Sequence, residues 1–196
     1  MESVIPDLYA SDPAPLPFAP SQGIRAFLLR RDAGNLLVYS APGVDAAAVG
    51  ALGGATRILL GHWHEAEFGG GADVSAALDA PLTGERALPI EPPGDDVEVI
   101  AMPGHTPGST AYLWNGALFT ADTVYISDGE WVGAVLQSSD RAAYVESLER
   151  LRELEFEWLV PWAASLSGPY AAPTDAADAR RRIDAIIARI RRGEDR

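Results

Sequence analysis

The sequence predicts a layered α/β fold, and three observations carry that prediction. Segments with strand character alternate with segments of helical periodicity, rather than falling into separate blocks. Of the 196 residues, 47% are apolar, enough for one sizeable core and few for two. Three short apolar strands each end in a histidine or an aspartate, where open α/β sheets hold their ligands.

The elements follow in order. Residues 11–23 hold four prolines and no periodicity, and read as part of an extended lead-in over residues 1–23. Ile24 to Leu29 and Leu36 to Tyr39 read as strands joined by a turn at Asp32-Ala33-Gly34-Asn35. The alanine-rich stretch from Val44 to Leu52 reads as a short helix. Arg57 to Leu60 is a brief apolar strand, and Gly69-Gly70-Gly71 opens a helix through Leu78. A Pro92-Pro93-Gly94 turn precedes a strand from Val97 to Ala101. Thr110 to Trp114 and Ala117 to Thr120 form a hairpin around Asn115-Gly116, a strong turn signal. Tyr144, Leu148, Leu151 and Leu154 recur at helical spacing after a cap at Ser139 or Asp140. Trp158 to Val160 is a short strand. Ile183, Ile186, Ile187 and Ile190 mark an amphipathic helix over 174–192, opened by Pro173-Thr174-Asp175. No composition shift divides the chain, so residues 1–196 read as a single domain.

Composition removes whole classes of chemistry. There is no cysteine, which excludes disulfides, thiolate ligands, iron–sulfur clusters and cysteine nucleophiles. All 15 basic residues are arginine, so no lysine is present for a Schiff base or a P-loop. Against them stand 28 acidic residues, for a net charge of −13. That charge repels phosphate backbones and anionic lipid, so no nucleic-acid or membrane partner is expected. No signal-peptide pattern and no apolar run of about 20 residues is present, and the expected location is cytoplasmic. Seven arginines crowd residues 180–196 and read as a solvated helix face suited to the negative end of the helix dipole.

Only three histidines occur, and all three sit at strand ends. His62 and His64 follow the Arg57–Leu60 strand in Gly61-His62-Trp63-His64. If that backbone is extended, side chains at i and i+2 point the same way and address one point. His105 follows its own strand inside Pro103-Gly104-His105-Thr106-Pro107-Gly108, where the prolines and glycines stiffen the loop. A third strand ends in Thr120-Ala121-Asp122. Three imidazoles and one carboxylate are thus candidate ligands for zinc, iron or a similar ion.

On these motifs the chain resembles the metallo-β-lactamase superfamily, near its glyoxalase-II-like members, from about Ile24 to Trp162. The family's first motif, His-x-His-x-Asp-His followed by glycines, reads here His62-Trp63-His64-Glu65-Ala66-Glu67-Phe68-Gly69-Gly70. The Pro-Gly-His-Thr-Pro-Gly loop is intact around His105. The Gly-Asp strand end reads Ala121-Asp122, and the late Pro-Gly-His-Gly reads Pro161-Trp162-Ala163-Ala164. The resemblance implies an α/β (α+β) fold built as a four-layer αββα sandwich, two sheets face to face with helices outside. It implies that His62, His64 and His105 hold a first metal and that Asp122 bridges towards a second. The second metal's own ligand positions hold Ala66, Glu67 and Ala163. One metal or none is therefore expected, and no dinuclear centre, with zinc first and Fe2+ or Mn2+ as alternatives.

Two readings follow. In the first, the chain is a mononuclear metal-dependent hydrolase of an ester, thioester or lactone, using a water activated by the metal. Asp122 orients that water, and Glu67 is the first candidate for the base lost at Ala66, with Glu65 the second. The plain alternative makes both glutamates surface acids. Trp63, Trp131 and Trp162 are candidates for a pocket wall, or else core packing. In the second reading the protein is catalytically inactive and its metal site vestigial or structural, since Asp122 could close a four-ligand shell. Two histidines with Asp122 would also resemble a non-haem iron triad. The expected partner is a small-molecule substrate, and a homodimer is compatible with the sequence.

Overall fold

A computed structural model describes residues 1–84 and 91–194. In chain order the elements are β1 (Glu2–Ile5), β2 (Leu8–Ala10), β3 (Ala14–Leu16), β4 (Ala19–Ile24), β5 (Phe27–Leu29), β6 (Leu36–Val38), α1 (Ala46–Ala51), β7 (Arg57–Leu59), α2 (Trp63–Phe68), α3 (Gly71–Leu78) and β8 (Leu82–Thr83). There follow β9 (Glu98–Ala101), β10 (Thr110–Trp114), β11 (Ala117–Ala121), β12 (Tyr125–Ser127), β13 (Glu130–Val132), α4 (Arg141–Leu151), β14 (Trp158–Pro161), β15 (Ala163–Ser165), β16 (Ala172–Pro173) and α5 (Ala176–Arg191).

Among the described residues the strands form three hydrogen-bonded sheets. The first runs β1-β2-β5-β6-β7-β8, and the second β16-β14-β11-β10-β9. Period-2 side-chain alternation explains how the second sheet is covered on both faces. Tyr112, Trp114, Phe119 and Val160 point into a core shared with Phe27, Leu37 and Leu59 of the first sheet. Their neighbours Ala111, Leu118 and Leu159 point the other way, onto Leu148 and Leu151 of α4 and Ile183 and Ile187 of α5. On the first sheet, β6–α1–β7 and β7–α3–β8 are parallel crossovers stepping in one direction. Their common handedness puts α1 and α3 on one face. Helix, sheet, sheet and helix thus stack as the αββα sandwich.

The third sheet, β13-β12-β15-β4-β3, was not anticipated. It arises because several strands bend and change partners. The expected strand from Ile24 to Leu29 breaks at Arg25-Ala26, where Arg25 N–H donates to Trp162 O and Ala26 N–H to Ser11 Oγ. The late strand likewise passes through Trp162 from β14 into β15. Residues 1–23 are not a featureless lead-in: they carry β1 to β4, paired as two antiparallel hairpins. Pro15 is accommodated on β3, an edge strand of the third sheet.

The helices start where their caps dictate. Asp140 accepts from Ala142 and Ala143 N–H at 3.0 Å each, and Asp175 from Ala177 and Asp178 N–H at 2.9 Å each. Such caps are worth about 1 kcal/mol. Four of the five arginines of α5 are ion-paired, Arg180 with Glu153, Arg181 and Arg182 with Asp178 and Arg191 with Glu149, and Arg189 donates to Trp131 O. Arg196 lies outside the described residues. Asp184 pairs with Arg152 of the α4 C-terminus. No helix among the described residues is long and apolar enough to cross a membrane.

Candidate metal centre

Three loops meet at the ends of β7, β9 and β11. Gly61, just past β7, has to be glycine because of close approach: a Cβ there would lie 2.5 Å from Ala121 Cβ and 2.9 Å from Glu65 Oε1. Thr110 N–H donates to Gly61 O at 2.7 Å, and Tyr112 Oη–H to Leu60 O at 2.7 Å. These bonds tie the first histidine loop to β10. The second loop turns at Gly104, whose φ is +143° and where a Cβ would strike Tyr144 Cα at 2.3 Å. It is anchored on α4 by Asp140 N–H to Gly104 O at 3.0 Å and by Ser147 Oγ to Pro103 O at 2.7 Å. Ser139, a candidate cap, instead donates to His105 O at 3.0 Å.

Asp122 follows Ala121, which has a left-handed φ of 51°. Tyr39 holds that turn: its hydroxyl accepts from Ala121 N–H at 2.8 Å and donates to Val160 O at 2.9 Å. One buried phenol thus fixes β11 to β14 directly before the aspartate.

The first histidine pair is not extended, contrary to the sequence expectation. His62 is extended (φ −168°, ψ 171°) and is the N-cap of α2, while His64 lies in that helix's first turn. The run from Trp63 to Phe68 contains no β-branched residue and ends at glycines, which favours helix. Both imidazoles still reach one place, with ring centroids 4.7 Å apart. His64 Nδ1 lies 3.3 Å from His105 Nε2. Asp122 Oδ2 lies 3.3 Å from His62 Nε2 and 3.8 Å from His105 Nε2. Each of the four residues offers one ligand atom, and these atoms all lie within 4.8 Å of one another.

The helical turn has a second consequence. It places Glu65 three residues on, beneath His62, where it is fully buried. Glu65 Oε2 accepts from Gly61 N–H at 2.8 Å, and Oε1 lies 2.9 Å from His62 Nδ1. The sequence ranked Glu65 behind Glu67. The structure reverses them: Glu67 is on the exposed face of α2 and is outside the cluster. An i,i+3 His–Glu pair at a helix start was the overlooked signal.

The ionisation pattern follows from this packing. Burial alone would lower His62, but the adjacent Asp122 and Glu65 carboxylates outweigh it and raise its pKa to about 9. Burial, then the neighbouring His62 and His105, lower His64 to about 4. Burial also lowers His105. Burial pushes Asp122 upward, but the histidines, His62 first, bring it below its ordinary value. Burial raises Glu65.

These residues fit a metal ion. His62 Nε2 is buried and faces Asp122 Oδ2 at 3.3 Å without a well-aligned hydrogen bond, a costly state for a polar atom unless something completes it. The other ring nitrogens are engaged: His62 Nδ1 by Glu65, and His105 Nδ1 by Ala134 O at 2.6 Å. Such outer partners fix the tautomer that leaves the inner nitrogen free for metal. An all-nitrogen-and-oxygen donor set suits zinc or iron. The positions of a second metal offer little: Ala66 is half-buried, Glu67 is exposed and Ala163 forms cavity wall.

A cavity of about 330 Å³ opens on the cluster, lined in part by His64, His105 and Asp122. None of the three candidate tryptophans lines it. Trp131 packs with α5, Trp63 faces solvent, and Trp162 is buried behind His62 with its Nε1–H donated to Ser40 O at 2.8 Å.

Residues 33–163 match the family model of the metallo-β-lactamase superfamily. A hydroxyacylglutathione hydrolase of Yersinia pestis is 32% identical over 117 residues, covering 53% of this chain and 45% of that protein. The chain spans less than half the length of the curated relatives it matches. Among solved structures, a metallo-β-lactamase from Pontibacter korlensis superposes with a TM-score of 0.64 at 13% identity, covering 97% of each chain. ETHE1 from Myxococcus xanthus gives 0.63 at 17%, covering 86% of this chain and 85% of that one.

Proposed function

Because this chain belongs to the metallo-β-lactamase superfamily, we propose that it is a mononuclear metal-dependent hydrolase of an ester, thioester or lactone carbonyl. The observation that carries the reading is the buried His62 Nε2, which lacks a well-aligned hydrogen bond and faces His64, His105 and Asp122, while the second-metal positions supply no buried ligand. The hydrolase names of the relatives agree with it. A divalent ion, zinc before Fe2+ or Mn2+, would supply an acidified water nucleophile and a Lewis acid for the carbonyl oxygen.

The chain's own residues have separate tasks. Asp122 stays ionised and lines the cavity, so it is the acid placed to accept a hydrogen bond from a water nucleophile. Glu65 lies behind His62, away from the cavity lining, and acts as a positioning residue that fixes the imidazole. Ala134 O does the same for His105. The cavity walls exclude bulk water around the reacting carbonyl, which strengthens these electrostatic contacts.

One observation favours a second reading. Asp122 Oδ2 is near both His62 and His105, so four protein ligands could close a tetrahedral shell and make the ion structural. A panel of simple esters and thioesters, assayed with and without chelator, separates the two. Turnover that chelation abolishes and zinc restores supports the hydrolase. Turnover that survives chelation unchanged sinks it, and thermal stabilisation by zinc without any turnover supports the structural ion.

A further inference from the structure

We propose that the cavity beside the metal cluster takes an uncharged, apolar acyl group and selects against acyl groups that end in a carboxylate. The inference rests on the hydrolase reading and names the substrate class of that site. Away from His64, His105 and Asp122, the wall is Leu16, Phe18, Phe68, Tyr125 and Leu136, with small alanines between. Gln22 also lines it: its Nε2–H is donated to Ser165 Oγ at 3.3 Å, and its Oε1, buried without a hydrogen-bond partner, is an acceptor that a carboxylate cannot pair with. Among the described residues no arginine lines the cavity, and the chain contains no lysine. With the carbonyl at the metal cluster, an anionic tail lying against this apolar wall would meet no counter-charge among the described residues, and the net charge of −13 opposes it.

The rim points the same way. Four large hydrophobic residues are exposed among the described residues, and two of them, Phe18 at 67% and Leu136 at 38%, stand on this one cavity. They come from distant parts of the chain, the β3–β4 turn and the segment before α4. Phe18 meets Phe68 edge-on, with ring centroids 5.1 Å apart. Exposed apolar side chains converging on one mouth gain burial when a ligand enters. A volume of about 330 Å³ lies at the small end of the roughly 300–1,000 Å³ of ligand sites, so the seated group is compact.

The test compares 4-nitrophenyl hexanoate with mono-4-nitrophenyl adipate on zinc-loaded protein, and titrates hexanamide into chelator-treated protein. The inference expects kcat/KM at least about tenfold higher for hexanoate, since desolvating one carboxylate costs more than 1.4 kcal/mol. Phe18→Ser should weaken hexanamide binding at least about threefold, and Leu136→Ser should weaken it in the same direction. Equal or faster cleavage of the adipate ester, or hexanamide binding indifferent to both variants, overturns the inference. If neither ester is cleaved but hexanamide binding depends on Phe18, the hydrolase reading fails and the apolar site stands.

Discussion

Lowering the pH from 9 to 7 should weaken metal uptake about 50-fold. The reason lies at His62. Asp122 and Glu65 hold its imidazole protonated up to about pH 9, with the second proton on the Nε2 that a metal needs. His64 and His105 are lowered and therefore neutral at pH 7, and Asp122 is already ionised. One proton must leave, and only His62 supplies it. Well below pH 9 each unit then costs a factor of ten in apparent affinity, and the step from pH 9 to 7 costs about 2.3 kcal/mol. The Nδ1 proton stays with Glu65, so the slope is one proton and not two. The assay is a competition titration of zinc against a chromophoric chelator between pH 6.5 and 9.5, corrected for the chelator's own protonation. A plot of log affinity with slope near one that flattens above pH 9 supports the reasoning. A flat profile between pH 6.5 and 8 refutes it, because His62 would then already be neutral.

Glu65→Ala should lower zinc affinity about 10- to 100-fold, the usual cost of losing a ligand's outer partner, with Glu65→Gln retaining part of it; unchanged affinity in both variants would remove the positioning role. Glu67→Gln should leave zinc affinity unchanged and stability within about 0.5 kcal/mol, as for other exposed sites, measured by chelator competition and urea unfolding. Tyr39→Phe strands Ala121 N–H and Val160 O and should cost about 1–3 kcal/mol in the same unfolding assay. The melting temperature of metal-free protein should peak near pH 6.5. His62, raised to about 9, contributes fully below 6.5 and loses its contribution as pH rises to 9, whereas His64, lowered to about 4, contributes above 6.5 and loses it as pH falls to 4. Melting curves across pH 4–9 that show no maximum would contradict those shifts.

The sequence made the layered fold and the metal cluster legible because both rest on local patterns. The Asn115-Gly116 hairpin and the Ile183–Ile190 stripe are short-range signals that formed as expected, and the four candidate ligands converge although His64 lies in a helix and not in extended chain. The hairpins of residues 1–23 were hidden by prolines that edge strands tolerate. The third sheet was hidden because its strands are continuations past bends, held by long-range bonds such as Arg25 N–H to Trp162 O. Within the site, the error at His62 and His64 was one of backbone conformation. Extended geometry made Glu65 look remote, whereas one turn of helix buried it under His62. Tyr39 carried no motif at all: its role depends on a hydroxyl reaching β11 and β14 from another sheet. The cavity's apolar character also escaped notice, because Phe18 and Leu136 are far apart in sequence and each alone looks like an ordinary surface residue.

The most direct test is elemental analysis of protein purified without a histidine tag or chelator, beside its His62→Ala variant. The account predicts one equivalent of zinc, or of iron in its place, in the parent protein and close to none in the variant. Two equivalents in the parent, or no metal after incubation with zinc, manganese and iron, would contradict a single site built on His62, His64, His105 and Asp122.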